Sequence, residues 1–146
     1  MSTDLHERYH QATGHLEMIE ANGNTTLIGS GWAGNDSRPG VNPHQVQGRN
    51  NPAMQAEHNI GPLPRWTYTI GTPITHPHLG PLAFPLTPDP DPNGEMCGRS
   101  AFFIHGASST DPLNSSEGCI IMPHDVRVHR AEFVAAGINR LEVVGA

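Results

Sequence analysis

A histidine and a cysteine lie at the two ends of a polar loop in the stretch FFIHGASSTDPLNSSEGCIIMP, residues 102–123. His105 ends one apolar run and Cys119 begins the next, so the loop between them can fold back and bring the imidazole to the thiol. A cysteine becomes a strong nucleophile beside an imidazolium, and the same imidazole can later donate a proton to a leaving amine. The pattern therefore predicts a catalytic pair, with Cys119 as nucleophile and His105 as base.

The residues just before the cysteine fit the same chemistry. Gly118 lets the backbone approach a substrate carbonyl closely, and the N–H groups around Gly118 and Cys119 are placed to form an oxyanion hole. Ser116 is expected to hold the turn. The alternative is structural, because a single histidine and cysteine are often a packed ring and a buried small side chain. Spacing alone leaves both interpretations open.

Short strands must position this pair. The chain of 146 residues is 36% hydrophobic and contains 16 Gly and 14 Pro, and its apolar runs are short. Such a composition favours a mainly β protein, and the length predicts one domain spanning residues 1–146 with one modest core. The predicted strands are 15–31 (a hairpin with an Asn- and Gly-rich turn), 61–71, 79–86 (a short edge strand), 99–106 (ending at His105) and 138–144.

One helix is predicted near the C-terminus, at residues 123–137, with Pro in its first turn and Gly after its last. Val126, Phe133 and Val134 are expected to form its inward face. A long loop is predicted at residues 34–59, where Gly, Asn and Pro are frequent.

Charge and composition exclude several classes of function. The net charge is −6 and all eight basic residues are arginine, which argues against a nucleic-acid partner. The polar N-terminus lacks the features of a signal peptide and no apolar run is long enough to span a bilayer, so we expect cytoplasmic synthesis without membrane insertion. The ten histidines show no zinc-ligand spacing, and no metal or other cofactor is predicted. Cys97 is expected to be reduced and dispensable.

The segments IHG and SSEGCI together resemble the signature of YkuD-type L,D-transpeptidases, in which His-Gly is followed by Ser-x-Gly-Cys. A wider set of segments, GRNNPAMQ, IGPLPRWTYTIG, PLTPDP, GRSAFFIHG and SEGCIIMP, is similar to small L,D-transpeptidase-related effectors exported by type VI secretion systems. The similarity covers roughly residues 9–144. It implies a mainly β, L,D-transpeptidase-like fold with one C-terminal helix and a catalytic cysteine that acts on peptidoglycan stem peptides.

The resemblance also implies roles for individual residues. Cys119 would be the nucleophile and His105 the base, and the carbonyl of Gly106 would orient the imidazole by accepting its other N–H. The sequence departs from the larger family at two positions: Glu117 stands where His is usual, and Ile121 stands where Arg is usual.

The missing arginine leaves the binding of a substrate carboxylate to another residue. Arg99 is the first candidate, because the strand that carries His105 also carries it. Arg65 is the second candidate, and for each of them a structural or solvated arginine is the alternative.

The implied activity is cleavage of the terminal D-Ala from tetrapeptide stems, exchange of that D-Ala for another D-amino acid, or both. The substrate lies in the periplasm of a target cell, so the resemblance implies delivery by a secretion-apparatus component and a cognate immunity protein in the producer. Two alternatives remain: a papain-like Cys–His amidase or endopeptidase, in which the histidine normally follows the cysteine, and a non-catalytic binding module associated with secretion.

Overall fold

The computed structural model describes residues 5–34, 49–55, 61–89, 102–107 and 118–145. They form a mainly β fold with one α-helix near the C-terminus, which confirms the predicted fold class. No helix in these ranges is long and apolar enough to cross a membrane. The strands are β1 (His6–His10), β2 (His15–Ile19), β3 (Thr25–Ser30), β4 (Trp32–Ala33), β5 (Thr67–Ile70), β6 (Ile74–His76), β7 (Gly80–Pro88), β8 (Phe102–His105), β9 (Ile120–Ile121) and β10 (Arg140–Val144). The helices are α1 (His124–Ala135) and a short 3-10 helix (Pro52–Met54).

The strands follow one another in the order β3-β2-β1-β10-β5-β7-β8-β9-β4, and β6 pairs with β7 beside this path. Two pairs are parallel, β1 with β10 and β8 with β9. The strands at the two ends of the path, β3 and β4, are consecutive in the chain with only Gly31 between them. The sheet must therefore curl until its two edges meet.

Gly31 lies at the point where the sheet closes. Its N–H donates to the carbonyl of Gly14 over 2.9 Å, and a Cβ on Gly31 would overlap the carbonyl oxygen of Ile121 in β9. Only a residue without a side chain allows this approach of two backbones. The closure places the end of the first hairpin against the strand that follows Cys119.

The predicted hairpin at residues 15–31 is confirmed by β2 and β3. These strands pair in antiparallel fashion with Ile19 opposite Thr25, and the turn is closed by the N–H of Glu20, which donates to the carbonyl of Asn24 over 2.9 Å. Gly23 in the turn has a φ of 89°, a conformation that glycine adopts without strain.

The predicted helix is also confirmed, but its inward face differs from the prediction. Pro123 precedes α1, and Gly137 follows it with a φ of 89°. The buried side chains of α1 are Val126, Arg127 and Arg130. Val134 is half-buried and packs against the core as predicted, whereas Phe133 is half-buried without belonging to it. The two arginines occupy the inward face because each finds acceptors there.

Two arginine contacts anchor α1 to the sheet. Arg130 forms a fully buried ion pair with Glu7 of β1, and its guanidinium lies 5.5 Å from the centre of the Phe133 ring. Arg127 donates to backbone carbonyls, as described below for the site. The helix is thus held by charge as well as by apolar packing.

The prediction of a short edge strand at residues 79–86 is wrong about both the length of the strand and its place in the sheet. β7 is nine residues long and lies between β5 and β8. Proline lacks only the N–H, and the carbonyl of Pro85 still accepts the N–H of Gly71 over 2.8 Å. Leu82 has a φ of 53° and lies within the pairing with β6, between Gly80 and Ala83, where the register shifts.

Other boundaries differ less. β5 begins at Thr67 rather than near residue 61, whereas β8 ends at His105 as predicted. β1, β4, β6 and β9 were not predicted as strands. Most of the predicted loop at residues 34–59 lies outside the described residues.

Candidate active site

The two predicted catalytic residues lie on neighbouring parallel strands. His105 is the last residue of β8, and Cys119 immediately precedes β9. In the register, Ile104 pairs with Ile120 and His105 pairs with Ile121. Because Ile104 and Ile120 belong to the core and side chains alternate along strands, His105 and Cys119 share the opposite face. The fold therefore brings the imidazole and the thiol to one face of two adjacent strands.

The thiol of Cys119 is held against β8 by a backbone donor. The side chain is half-buried, and its Sγ accepts the N–H of Phe103 over 3.2 Å. A hydrogen bond from an N–H group stabilises sulfur more strongly when the sulfur is a thiolate, so this contact favours the nucleophilic form.

Gly118 fixes the approach of the chain to the cysteine. It has a φ of 134°, which a residue with a side chain rarely adopts, and its carbonyl accepts the N–H of Leu63 over 2.9 Å. This contact ties the residue before Cys119 to the segment that leads into β5. The glycine predicted from the sequence is thus required by backbone geometry at this point.

The imidazole of His105 is oriented by the residue that follows it. Its Nδ1 lies 2.7 Å from the carbonyl oxygen of Gly106. A carbonyl oxygen only accepts, so Nδ1 carries the proton and Nε2 of the neutral ring presents a lone pair. His105 is 3% exposed, and its own carbonyl accepts the N–H of Met122 over 3.0 Å, which holds the end of β8 against β9.

The surroundings of His105 favour the neutral ring. Burial lowers its pKa below the ordinary value of 6.5, the carbonyl of Gly106 opposes that effect, and the charges of Arg127 and His76 lower the pKa further. His76 of β6 contacts the site through Phe103, whose ring centre lies 5.3 Å from that of His76. The imidazole of His105 is therefore mostly neutral at pH 7.

Arg127 was not identified from the sequence. Its Nε donates to the carbonyl of Met122 over 3.1 Å, and its Nη1 donates to the carbonyls of Pro81 over 2.8 Å and Leu82 over 3.4 Å. The guanidinium thus connects α1 with β7 and the end of β9. No local motif identifies this residue, because its position depends on where the helix docks.

Among the remaining predicted residues, Arg65 is described and is not brought to this point. Arg65 donates from Nη1 to Oε1 of Gln11 over 3.3 Å and lies against Gly145, beyond the end of β10. Ser116, Arg99 and Cys97 lie outside the described residues. Across the described ranges, no group of three or more His, Cys, Asp or Glu side chains is arranged to hold a metal ion.

Two solved structures are similar in fold. The crystal structure of the helical cell shape determining protein Pgp2 from Campylobacter jejuni matches with a TM-score of 0.59 at 16% identity, covering 99% of this chain and 49% of that one. The structure of Bdellovibrio bacteriovorus Bd1075 matches with a TM-score of 0.58 at 17% identity, covering 96% and 47%. The chain spans about half the length of these proteins.

Sequence comparison identifies the family. No curated protein sequence matches the chain. The sequence model described as the Tlde1 domain matches residues 44–145, which is most of the chain and includes β5 to β10, α1 and both predicted catalytic residues. This match confirms the resemblance stated from the sequence: the chain belongs to the Tlde1 domain family of type VI secretion L,D-transpeptidase effectors.

Proposed function

We propose that this chain is a cysteine L,D-carboxypeptidase that removes the terminal D-Ala from peptidoglycan tetrapeptide stems. One observation carries the proposal: Cys119 and His105 share one face of adjacent parallel strands, with Sγ accepting a backbone N–H and Nδ1 bonded to the carbonyl of Gly106. A nucleophile, a base and a group that orients the base are the three parts of a catalytic triad.

The reaction follows from these positions. Nε2 of His105 accepts the thiol proton as Cys119 Sγ attacks the carbonyl between the L-centre of the third residue and the D-Ala that follows it. The tetrahedral intermediate collapses when the imidazolium donates its proton to the leaving amine, and D-Ala departs while a thioester remains. Water then hydrolyses the thioester, or a D-amino acid attacks it and is exchanged into the stem.

The backbone beside the cysteine has a proposed role in this step. The N–H groups of Gly118 and Cys119 stabilise the oxyanion of the tetrahedral intermediate. The φ of Gly118 supports this assignment, because it sets the direction of the backbone where the oxyanion forms. Ser116 is proposed to hold the turn before it.

Membership of the family supports a proposed site of action. Stem peptides lie outside the inner membrane, so the chain would act in the periplasm of a target bacterium after delivery by a type VI secretion apparatus. The producer would need an immunity protein that blocks the face that carries Cys119.

The experiment is digestion of purified muropeptides followed by mass spectrometry. We expect wild-type protein to convert tetrapeptide stems to tripeptide stems, or to exchange D-Ala when a D-amino acid is added. Cys119→Ala and His105→Ala should each lower the rate at least about 10³-fold, and the double variant should be no worse than either single variant, because the two groups act as a unit.

The matched control is Cys97→Ala, which removes the other thiol and should retain activity. Circular dichroism should show that all four variants fold. If Cys119→Ala still trims tetrapeptide stems, the cysteine mechanism is wrong.

A further inference from the structure

The charge of Arg127 is poorly compensated for a buried guanidinium. Arg127 is 9% exposed, and the acceptors described above are neutral backbone carbonyls. Among the described residues, no carboxylate forms an ion pair with it. The other buried arginine, Arg130, has Glu7 as a partner. A desolvated positive charge without an anion is costly, and such a site favours an anionic ligand.

The part of the guanidinium that remains available faces the candidate site. Nε and Nη1 are engaged by carbonyls, whereas Nη2 lies against Gly106: a Cβ built there would be 2.6 Å from Nη2 and 3.0 Å from Cζ. Gly106 directly follows His105. The free edge of the guanidinium is therefore next to the residue that must protonate the leaving amine.

The proposed substrate places a carboxylate at this position. In a tetrapeptide stem the leaving group is D-Ala, whose amine and carboxylate are attached to the same carbon atom. When His105 reaches the amine, the carboxylate cannot be far from it. Because Nε and Nη1 are engaged, the N–H groups of Nη2 would donate the charge-assisted hydrogen bonds to that carboxylate.

We propose that Arg127 binds the terminal carboxylate of the stem peptide and so restricts the enzyme to stems that end in a free D-Ala. This assignment rests on the proposed function. It gives Arg127 the role that the sequence assigned to Arg99 or Arg65, and Arg65 contacts Gln11 instead. Stems in which that carboxylate is blocked would be poor substrates.

The test compares two synthetic tetrapeptides, one ending in D-Ala carboxylate and one ending in D-Ala amide. Wild-type protein should prefer the acid by roughly tenfold to a hundredfold in kcat/KM, the range expected for one charge-assisted contact. Arg127→Gln should lose that preference: kcat/KM for the acid falls by a similar factor, while kcat/KM for the amide changes little. A purely structural role would lower both rates equally.

Two variants complete the design. Arg140→Gln makes the same change at an exposed arginine on β10 and should keep the preference. Arg127→Lys keeps the charge and should retain part of the preference for the acid. This variant tests the proposal even if Arg127→Gln folds poorly. Two outcomes would overturn the role of Arg127 but not the proposed function. The first is wild-type protein that cleaves the acid and the amide equally well. The second is a folded Arg127→Gln variant that keeps the full preference for the acid. Wild-type protein that cleaves neither peptide overturns the proposed function itself.

Discussion

At the scale of single residues, His105 is surrounded by groups that act on its basicity in opposite directions. Burial and the charges of Arg127 on α1 and His76 on β6 favour the neutral ring, while the carbonyl of Gly106 favours the protonated one. The balance lowers the pKa of His105, so more than half of the imidazole is deprotonated at pH 6.5. A substrate carboxylate bound to Arg127 would offset the charge of that guanidinium.

This balance predicts different pH dependences for free and substrate-bound enzyme. The acid limb of kcat/KM reports the free enzyme and should lie below pH 6.5, because the pKa of His105 is lowered. The acid limb of kcat reports the complex and should lie at higher pH, since the bound carboxylate offsets the charge of Arg127. In the Arg127→Gln variant, the acid limb of kcat/KM should shift to higher pH, toward the acid limb of kcat. An acid limb of wild-type kcat/KM above pH 6.5 would contradict the assignment of His105.

Gly106 gives a second prediction at this scale. Gly106→Ala should lower kcat/KM for stem tetrapeptides roughly tenfold or more, because the new methyl group displaces a guanidinium that carbonyls hold in place. Gly145→Ala is the matched control: its Cβ would meet the Nη1 of Arg65 at 3.1 Å, away from the site, and its activity should be unchanged. Steady-state kinetics measures both. Equal activity in the two variants would show that the position of Arg127 does not matter.

At the scale of elements, α1 is fastened to β1 by a buried ion pair. Glu7 and Arg130 are both fully buried, and Oε1 of Glu7 and two nitrogens of Arg130 have no hydrogen-bond partner within the described part of the chain. Such a pair is costly to break by removing one member and inexpensive to replace as a whole.

We therefore expect Arg130→Met to lower the free energy of unfolding by about 3–5 kcal/mol, because it leaves Glu7 buried and unpaired. Adding Glu7→Leu should recover most of that loss. Arg8→Met is the control: it removes a half-exposed contact with Glu142 and should cost only about 0–1 kcal/mol. Urea denaturation measures all three, and a double variant as unstable as Arg130→Met would refute this account.

The elements also show what the sequence could predict. The β2–β3 hairpin and α1 were predicted because their signals are local: an Asn- and Gly-rich turn, and Pro and Gly at the helix ends. β1 was missed because its buried positions include Glu7, whose partner lies on a helix distant in sequence. β7 was misassigned because its prolines suggest an edge, although a proline in mid-sheet can still accept through its carbonyl.

The residues of the candidate site also differ in whether the sequence could predict their positions. His105 and Cys119 were predictable because each flanks an apolar run, and strand alternation places them on one face. Arg127 was not predictable, because only the docking of α1 against β7 brings its guanidinium to Gly106.

At the scale of the whole molecule, the strands before the family match are part of the same sheet. The match begins at residue 44, whereas β1 pairs with β10 and β4 pairs with β9, directly after Cys119. The residues that carry the proposed chemistry therefore depend on strands from both ends of the chain.

The proposed substrate makes the effect of the whole protein depend on its compartment. Expressed in the cytosol of a Gram-negative host, the chain should be harmless, because stem peptides are exposed outside the inner membrane. Fused to a secretion signal, it should slow growth or deform cells, since trimmed stems cannot donate to L,D-crosslinks. Growth curves and microscopy measure the effect, with the fused Cys119→Ala as the silent control. Equal toxicity in both compartments would point to a cytosolic target.

The position of β10 determines when the molecule can fold during its synthesis. It is the last of the described strands to be made, yet it lies between β1 and β5 and joins the first hairpin to the rest of the sheet. Pairing of β1 with β10 closes a loop of almost the whole chain, a contact that forms slowly. A nascent chain therefore carries unpaired strand edges until its last strand is released.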